Sequence, residues 1–96
     1  MKLSYIYILL SLKDKKFYIG TTNNIKRRLL EHKRGKNIST SKRLPLRLIY
    51  FEAHLSKEDA KRRERYFKTT KGKTTLKTVL QESLKKFNIK GIDFKI

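Results

Sequence analysis

A run of aromatic and aliphatic side chains near the start, Tyr5-Ile6-Tyr7-Ile8-Leu9-Leu10, sets the strongest constraint on how this chain folds. β-Branched and aromatic residues in an unbroken apolar block suit a buried strand. With a period of two, Leu3, Tyr5, Tyr7 and Leu9 share one face, and Ile6, Ile8 and Leu10 the other. Lys13-Asp14-Lys15-Lys16 is a polar turn, and Phe17-Tyr18-Ile19-Gly20 reads as the returning strand. A hairpin is the shortest connection that pairs two such strands.

Downstream, Thr21-Thr22-Asn23-Asn24 supplies capping side chains for a helix starting near Asn24 or Ile25. Its apolar stripe runs Ile25, Leu29, His32, and Gly35 is a natural stop. Residues 36–44 are polar and rich in Ser and Thr, as a loop would be. Leu46 to Ala53 alternates like a third strand. Ser56 is a good N-cap, with Glu58 and Asp59 in the first turn of a helix reaching about Lys68. Residues 69–73 contain Gly72 and read as a break before a last helix, Thr74 to about Lys86, carrying Leu76, Val79, Leu80 and Leu84. The predicted order is β-β-α-β-α-α, an α/β (α+β) domain over residues 1–86 around a three-stranded sheet. Residues 87–96, with Ile92, Phe94 and Ile96 alternating, are expected to be an edge strand or a disordered tail.

Charge narrows the function. The 96 residues carry 26 Lys+Arg against 8 Asp+Glu, a net charge of +18. Self-repulsion at that density destabilises a compact state unless a polyanion neutralises it, so nucleic acid is the expected partner. Without cysteine there is no disulfide framework, zinc finger, thiolate nucleophile or iron–sulfur cluster. The opening apolar run is far shorter than the ~20 residues that cross a bilayer, and no glycine-rich phosphate loop is present. A cytoplasmic protein with no membrane partner is expected.

Three groups of residues stand out. In the helix from Lys57 the buried stripe should run Ala60, Glu64, Phe67. A carboxylate there is costly unless it is paired or bound to a metal. An ion pair with a neighbouring arginine and a Mg²⁺ ligand both remain open, since hard cations often use only one or two carboxylates beside substrate phosphates. Arg28 and His32, at i and i+4, project side by side; His32 fits a structural role, a phosphate contact or a proton shuttle. Arg27, Lys33 and Arg34 are expected on the solvated face. Tyr5 and Tyr7 share a strand face with Tyr18 on the returning strand, and Tyr5 and Tyr50 are expected in the core. A phenol of pKa ~10 is a poor base at neutral pH, although surrounding cations favour phenolate.

Together these residues resemble the GIY-YIG nuclease superfamily, and its small single-domain bacterial members above all. The name-giving pair stands here as Tyr5-Ile6-Tyr7 and Tyr18-Ile19-Gly20. The next motif is similar to Asn24-Ile25-Lys26-Arg27-Arg28-Leu29-Leu30-Glu31-His32, and the third to Asp59 through Lys68 with Glu64 at the metal-ligand position. The resemblance implies a three-stranded antiparallel sheet flanked by helices, a shallow active site on one sheet face, and phosphodiester hydrolysis using one Mg²⁺ or Mn²⁺ ion. It implies that Glu64 holds the metal against the scissile phosphate. Arg28 would bind that phosphate and neutralise charge growing on it in the transition state. Tyr7 would orient or deprotonate the attacking water, while Tyr18 and His32 position water and phosphate or relay protons. Two positions depart from the family pattern: Tyr5 replaces its opening glycine, and no asparagine follows Glu64 before Asn88, where Thr75 and Thr78 stand instead.

The expected function is a metal-dependent endonuclease acting on DNA, with low sequence specificity or a preference for branched or damaged structures. The alternative is a catalytically inert nucleic-acid-binding module of the same fold. Arg62, Arg63, Arg65, Lys68, Lys71, Lys73 and Lys77 are expected to form a strip that follows the nucleic-acid backbone without reading sequence.

Overall fold

The computed structural model describes residues 2–87. Its elements are β1 (Ser4–Ser11), β2 (Phe17–Thr22), α1 (Ile25–Lys33), β3 (Leu46–His54), α2 (Lys57–Phe67), α3 (Thr70–Val79) and α4 (Gln81–Lys86). The strands form one antiparallel sheet, as the family resemblance implies, in the order β2-β1-β3. The most apolar strand, β1, sits in the centre, with Ile8 opposite Ile19 on one side and Tyr50 on the other. Ile6, Ile8 and Leu10 join Phe17 and Ile19 in the core, which Ala60 and Phe67 of α2, Leu76 of α3 and Leu84 of α4 cover. The opposite face carries Tyr7 and Leu9, also buried, with the buried His32 of α1 against Tyr7.

Local chemistry explains the helix ends. The Asn24 side chain accepts from the Arg27 N–H at 3.0 Å and Ser56 Oγ from the Asp59 N–H at 3.4 Å, so both expected caps form. Gly35, with φ +72°, follows α1 in the left-handed conformation that suits glycine.

The expected break at residues 69–73 comes earlier and is shorter, at Lys68 and Thr69 between α2 and α3. Thr69 Oγ1 accepts from the Gly72 N–H at 3.0 Å and caps α3, which starts at Thr70, and the chain breaks again at Leu80, giving one helix more than predicted. Gly72 serves close approach rather than flexibility: a Cβ on it would run into the Tyr66 carbonyl. Thr75 joins the same contact through a 2.7 Å hydrogen bond between its hydroxyl and that of Tyr66.

One further expectation changes. Tyr5 is half-buried beside Phe51 rather than in the core, whereas Tyr50 does pack against the core. The alternation at Ile92, Phe94 and Ile96 lies outside the described residues, and Phe87 packs against the core.

The polar segment 36–44 is fastened to the hairpin turn. Arg43 Nε donates to Asp14 Oδ2 at 2.6 Å, Ser11 Oγ to the Arg43 carbonyl at 2.6 Å, and Lys13 Nζ to the Lys42 carbonyl at 3.0 Å. Hydrogen bonding from Arg43 holds the Asp14 carboxyl below its ordinary value. This clasp delivers Thr40, fully buried, to the sheet face that carries Tyr7.

Candidate active site

β1 and β2 place Tyr7 and Tyr18 on one face because Tyr7 pairs with Gly20 and the adjacent Leu9 with Tyr18. The two phenol rings lie 6.2 Å apart, and His32 packs edge-on to both, at 5.6 Å from Tyr7 and 5.1 Å from Tyr18. The ring of Tyr7 lies over the β2 backbone, where a Cβ at residue 20 would come within 2.6 Å of its hydroxyl. The glycine of the Tyr-Ile-Gly triplet is thus the space that Tyr7 occupies.

A buried hydrogen-bond chain fixes this cluster. The Tyr7 hydroxyl is 2.8 Å from His32 Nε2, and His32 Nδ1 is 2.7 Å from Thr40 Oγ1. Burial first, then the Arg28 charge, push His32 below the ordinary imidazole value, so the ring is neutral near pH 7. A neutral imidazole donates from one nitrogen and accepts at the other. The chain is therefore satisfied with Tyr7 donating to His32 or with His32 donating to Tyr7.

Burial also pushes the Tyr7 phenol well above its ordinary value, reinforced by Tyr18 and by the Glu64 carboxylate, with Arg28 pulling the other way. Desolvation outweighs the surrounding cations, so the phenolate that a basic cleft would favour is not the resting form. Arg28 donates from Nη1 to Glu31 at 3.2 Å, but its buried Nε has no partner. An unsatisfied guanidinium donor beside Tyr7 and His32 is the kind of exception that an anionic ligand would satisfy.

Glu64 ion-pairs along its own helix, with Lys61 at 3.7 Å and Lys68 at 3.4 Å, and its side chain is 16% exposed. The arginines expected as its partners are engaged elsewhere, Arg62 with Asp59 and Arg63 with Glu52. Among the described residues no three acidic, His or Cys side chains converge as a metal cluster. A single carboxylate still fits a hard cation that takes its remaining ligands from water and phosphate.

Arg63, expected in the backbone-tracking strip, already has a protein partner. Its guanidinium makes a two-pronged contact with Glu52, at 2.9 Å from both Nε and Nη2, and lies 4.3 Å over the Phe67 ring. Burial would raise the Glu52 carboxyl, but hydrogen bonds from Arg63, Tyr50 and His54 more than offset it and hold it low. Arg62, Arg65, Lys68, Lys71 and Lys77 are on the surface of α2 and α3, with Lys73 half-buried.

The patterning missed a second basic feature. An open cleft of about 340 Å³ where β1 begins is lined by Lys2, Arg27, Arg28, Lys57 and Lys61, with no acidic side chain in its wall among the described residues. Its cations come from three separated stretches, so no local charge run announced it, and Arg27 lines this cleft rather than only a solvated face. Thr40 was equally hidden, as one hydroxyl residue among several in a polar loop.

Comparison with known proteins agrees with this geometry. The family model for the GIY-YIG catalytic domain matches residues 3–77. A UPF0213 protein of Clostridium perfringens is 36% identical over 87 residues, covering 90% of this chain and 92% of its own. A UPF0213 protein of Limosilactobacillus reuteri is 48% identical over 67 residues, covering 67% of this chain and 69% of its own. The solution structure of a UPF0213 protein of Bacillus halodurans superposes with a TM-score of 0.53 at 31% identity, covering 97% of this chain and 99% of that one.

Proposed function

This chain belongs to the GIY-YIG catalytic-domain family, and on that premise we propose that it is a divalent-metal-dependent endonuclease that hydrolyses phosphodiester bonds in DNA. The observation that carries this reading is the buried, unpartnered Nε of Arg28 beside the Tyr7–His32 hydrogen bond. It supplies an anion-seeking donor next to a pair of groups able to move a proton.

Those groups divide the work. Arg28 binds the scissile phosphate, and its charge counts most when negative charge builds on the phosphoryl oxygens. Tyr7 takes a proton from the attacking water as its own proton passes to His32 Nε2, so the phenolate disfavoured by burial never accumulates. Thr40 accepts from Nδ1–H of the resulting imidazolium, and Tyr18 packs against the His32 ring and keeps its position. A Mg²⁺ or Mn²⁺ ion held by Glu64 would polarise the phosphate and stabilise the departing 3′ oxygen. Lys2, Arg27, Lys57 and Lys61 draw the backbone into the cleft, joined by Arg65, Lys71 and the other exposed cations of α2 and α3. None of these is a helix presented to base edges, so selection by structure rather than by sequence follows.

The second reading, a non-cutting binder of the same fold, is favoured by the two lysines already paired with Glu64, which a cation would have to displace. Cleavage of linear and branched DNA in Mg²⁺, Mn²⁺ or EDTA, with wild type and Glu64→Gln side by side, separates the two. Metal-dependent cutting lost in Glu64→Gln with binding retained supports the nuclease. Binding without cutting by either protein on every substrate gives the second reading.

A further inference from the structure

The face that carries Tyr7 does not end at the proposed site. Across the β1–β3 ladder Tyr7 pairs with Phe51, and Tyr5 pairs with Ala53. Helix α1 covers Tyr7 but not this extension: Phe51 is 51% exposed, and Ala53 is exposed beside it. The Phe51 and Tyr5 rings lie 6.3 Å apart at 59°, so the two side chains hold one another upright on the sheet. Tyr5 follows Leu3 and Ser4, which line the basic cleft. An exposed aromatic therefore sits one ladder position from Tyr7, and the tyrosine against it lies one or two residues along β1 from positions that line the basic cleft.

An uncovered apolar patch most often meets another protein surface. Here charge argues otherwise, because a second copy would bring its own +18 against the first. The occupant must be apolar where it meets Phe51 and anionic where it meets Lys2, Arg28 and Lys57. A nucleobase on its phosphodiester backbone combines the two, and a base lies flat on an aromatic ring only when it is out of a duplex stack.

We propose that Phe51, supported by Tyr5, is a stacking platform for an unpaired nucleobase next to the phosphate held at Arg28, so that the ligand class is a nucleic acid with a single-stranded or extrahelical nucleotide. The inference rests on the nuclease reading for the position of the phosphate but not for the contact itself. It deepens that reading by replacing general structure selectivity with a demand for at least one unstacked base.

Binding in EDTA tests it independently of cleavage. The chain has no tryptophan, so Phe51→Trp places a single, selectively excited tryptophan on the platform. Its emission should be quenched by single-stranded or gapped oligonucleotides and changed far less by blunt duplex of the same length. Phe51→Ala should weaken binding of the gapped substrate by about five- to a hundredfold and leave duplex binding within about twofold. Circular dichroism and melting of both variants establish that they fold. Equal loss on both substrates, or unmoved tryptophan emission while the oligonucleotide binds, overturns the platform. A wild-type dimer that Phe51→Ala converts to monomer in sedimentation would also overturn it and assign the patch to self-association. If the platform holds and no substrate is cut, the nuclease reading fails alone.

Discussion

Gly20 and Tyr7 form a single packing unit: the tyrosine ring lies where a side chain at residue 20 would be, 2.6 Å from the nearest position of a Cβ. Strand geometry offers no relief, since the two residues are directly paired across the β1–β2 ladder. Gly20→Ala must push the ring aside and stretch the 2.8 Å contact between Tyr7 and His32. Overpacking of this kind costs roughly 1–3 kcal/mol. Cleavage should fall by at least tenfold at a temperature where circular dichroism shows the variant folded. Unchanged activity would show that the Tyr7–His32 contact is not needed for catalysis.

The same pair predicts the pH range of stability. His32 titrates lower in the folded chain than its free value of 6.5. The unfolded chain therefore binds more protons below that value, and stability present above pH 6.5 is lost as pH falls. Tyr7 titrates above its free value of 10.0, so its contribution is full below pH 10 and is lost as pH rises beyond it. Melting temperature against pH should show a plateau between the two. His32→Asn should flatten the acid side more than the alkaline side.

Thr40→Val keeps shape and removes the hydroxyl at His32 Nδ1. The imidazolium loses an acceptor, so the acid limb of the cleavage rate should move to still lower pH and kcat should fall while KM stays nearly constant. The buried ring nitrogen left without a partner costs about 1–3 kcal/mol of stability. A rate profile with its acid limb unmoved would reduce Thr40 to a packing residue.

Much of this was legible in the sequence because strands and caps are local. Period-two alternation from Leu3 to Leu10 assigned the two faces of β1, and Asn24 and Ser56 marked two helix starts. Thr40 was not legible, because only the Asp14–Arg43 clasp brings its loop to His32. Gly72 misled for a related reason: its missing side chain matters to Tyr66 on another helix, a contact that one-dimensional propensity does not contain. The basic residues of α2 looked alike in sequence, and only tertiary partners distinguish Arg63 from Arg65.

That distinction can be measured. Arg63→Ala leaves the partly buried Glu52 carboxylate without its strongest donor, which should cost roughly 1–3 kcal/mol of stability. It should change DNA affinity little once the protein is folded. Arg65→Ala, on the exposed side of α2, should do the opposite, leaving the melting temperature near wild type. It should lower the slope of log affinity against log salt by about 1 if it meets one phosphate. Melting curves and salt titrations on both variants decide between the roles, and a reversed pattern would return Arg63 to the nucleic-acid surface.

Gly72→Ala sets local propensity against packing. In an exposed helix the substitution stabilises by about 0.8–1.0 kcal/mol. Here α3 crosses α2 so closely that the new methyl group meets the Tyr66 carbonyl and the Cα of Phe67, both backbone atoms that no rotamer change can move away. Tyr66 is bound to Thr75, and Phe67 is fully buried under Arg63, so α3 must swing out and lift Leu76 from the core. The net effect should be destabilisation by roughly 2 kcal/mol or more, within the range of small-to-large changes in packed sites. Urea unfolding of Gly72→Ala against wild type reads the sign directly. A midpoint at or above the wild-type value would mean that the α2–α3 crossing is slack and that Gly72 is dispensable there.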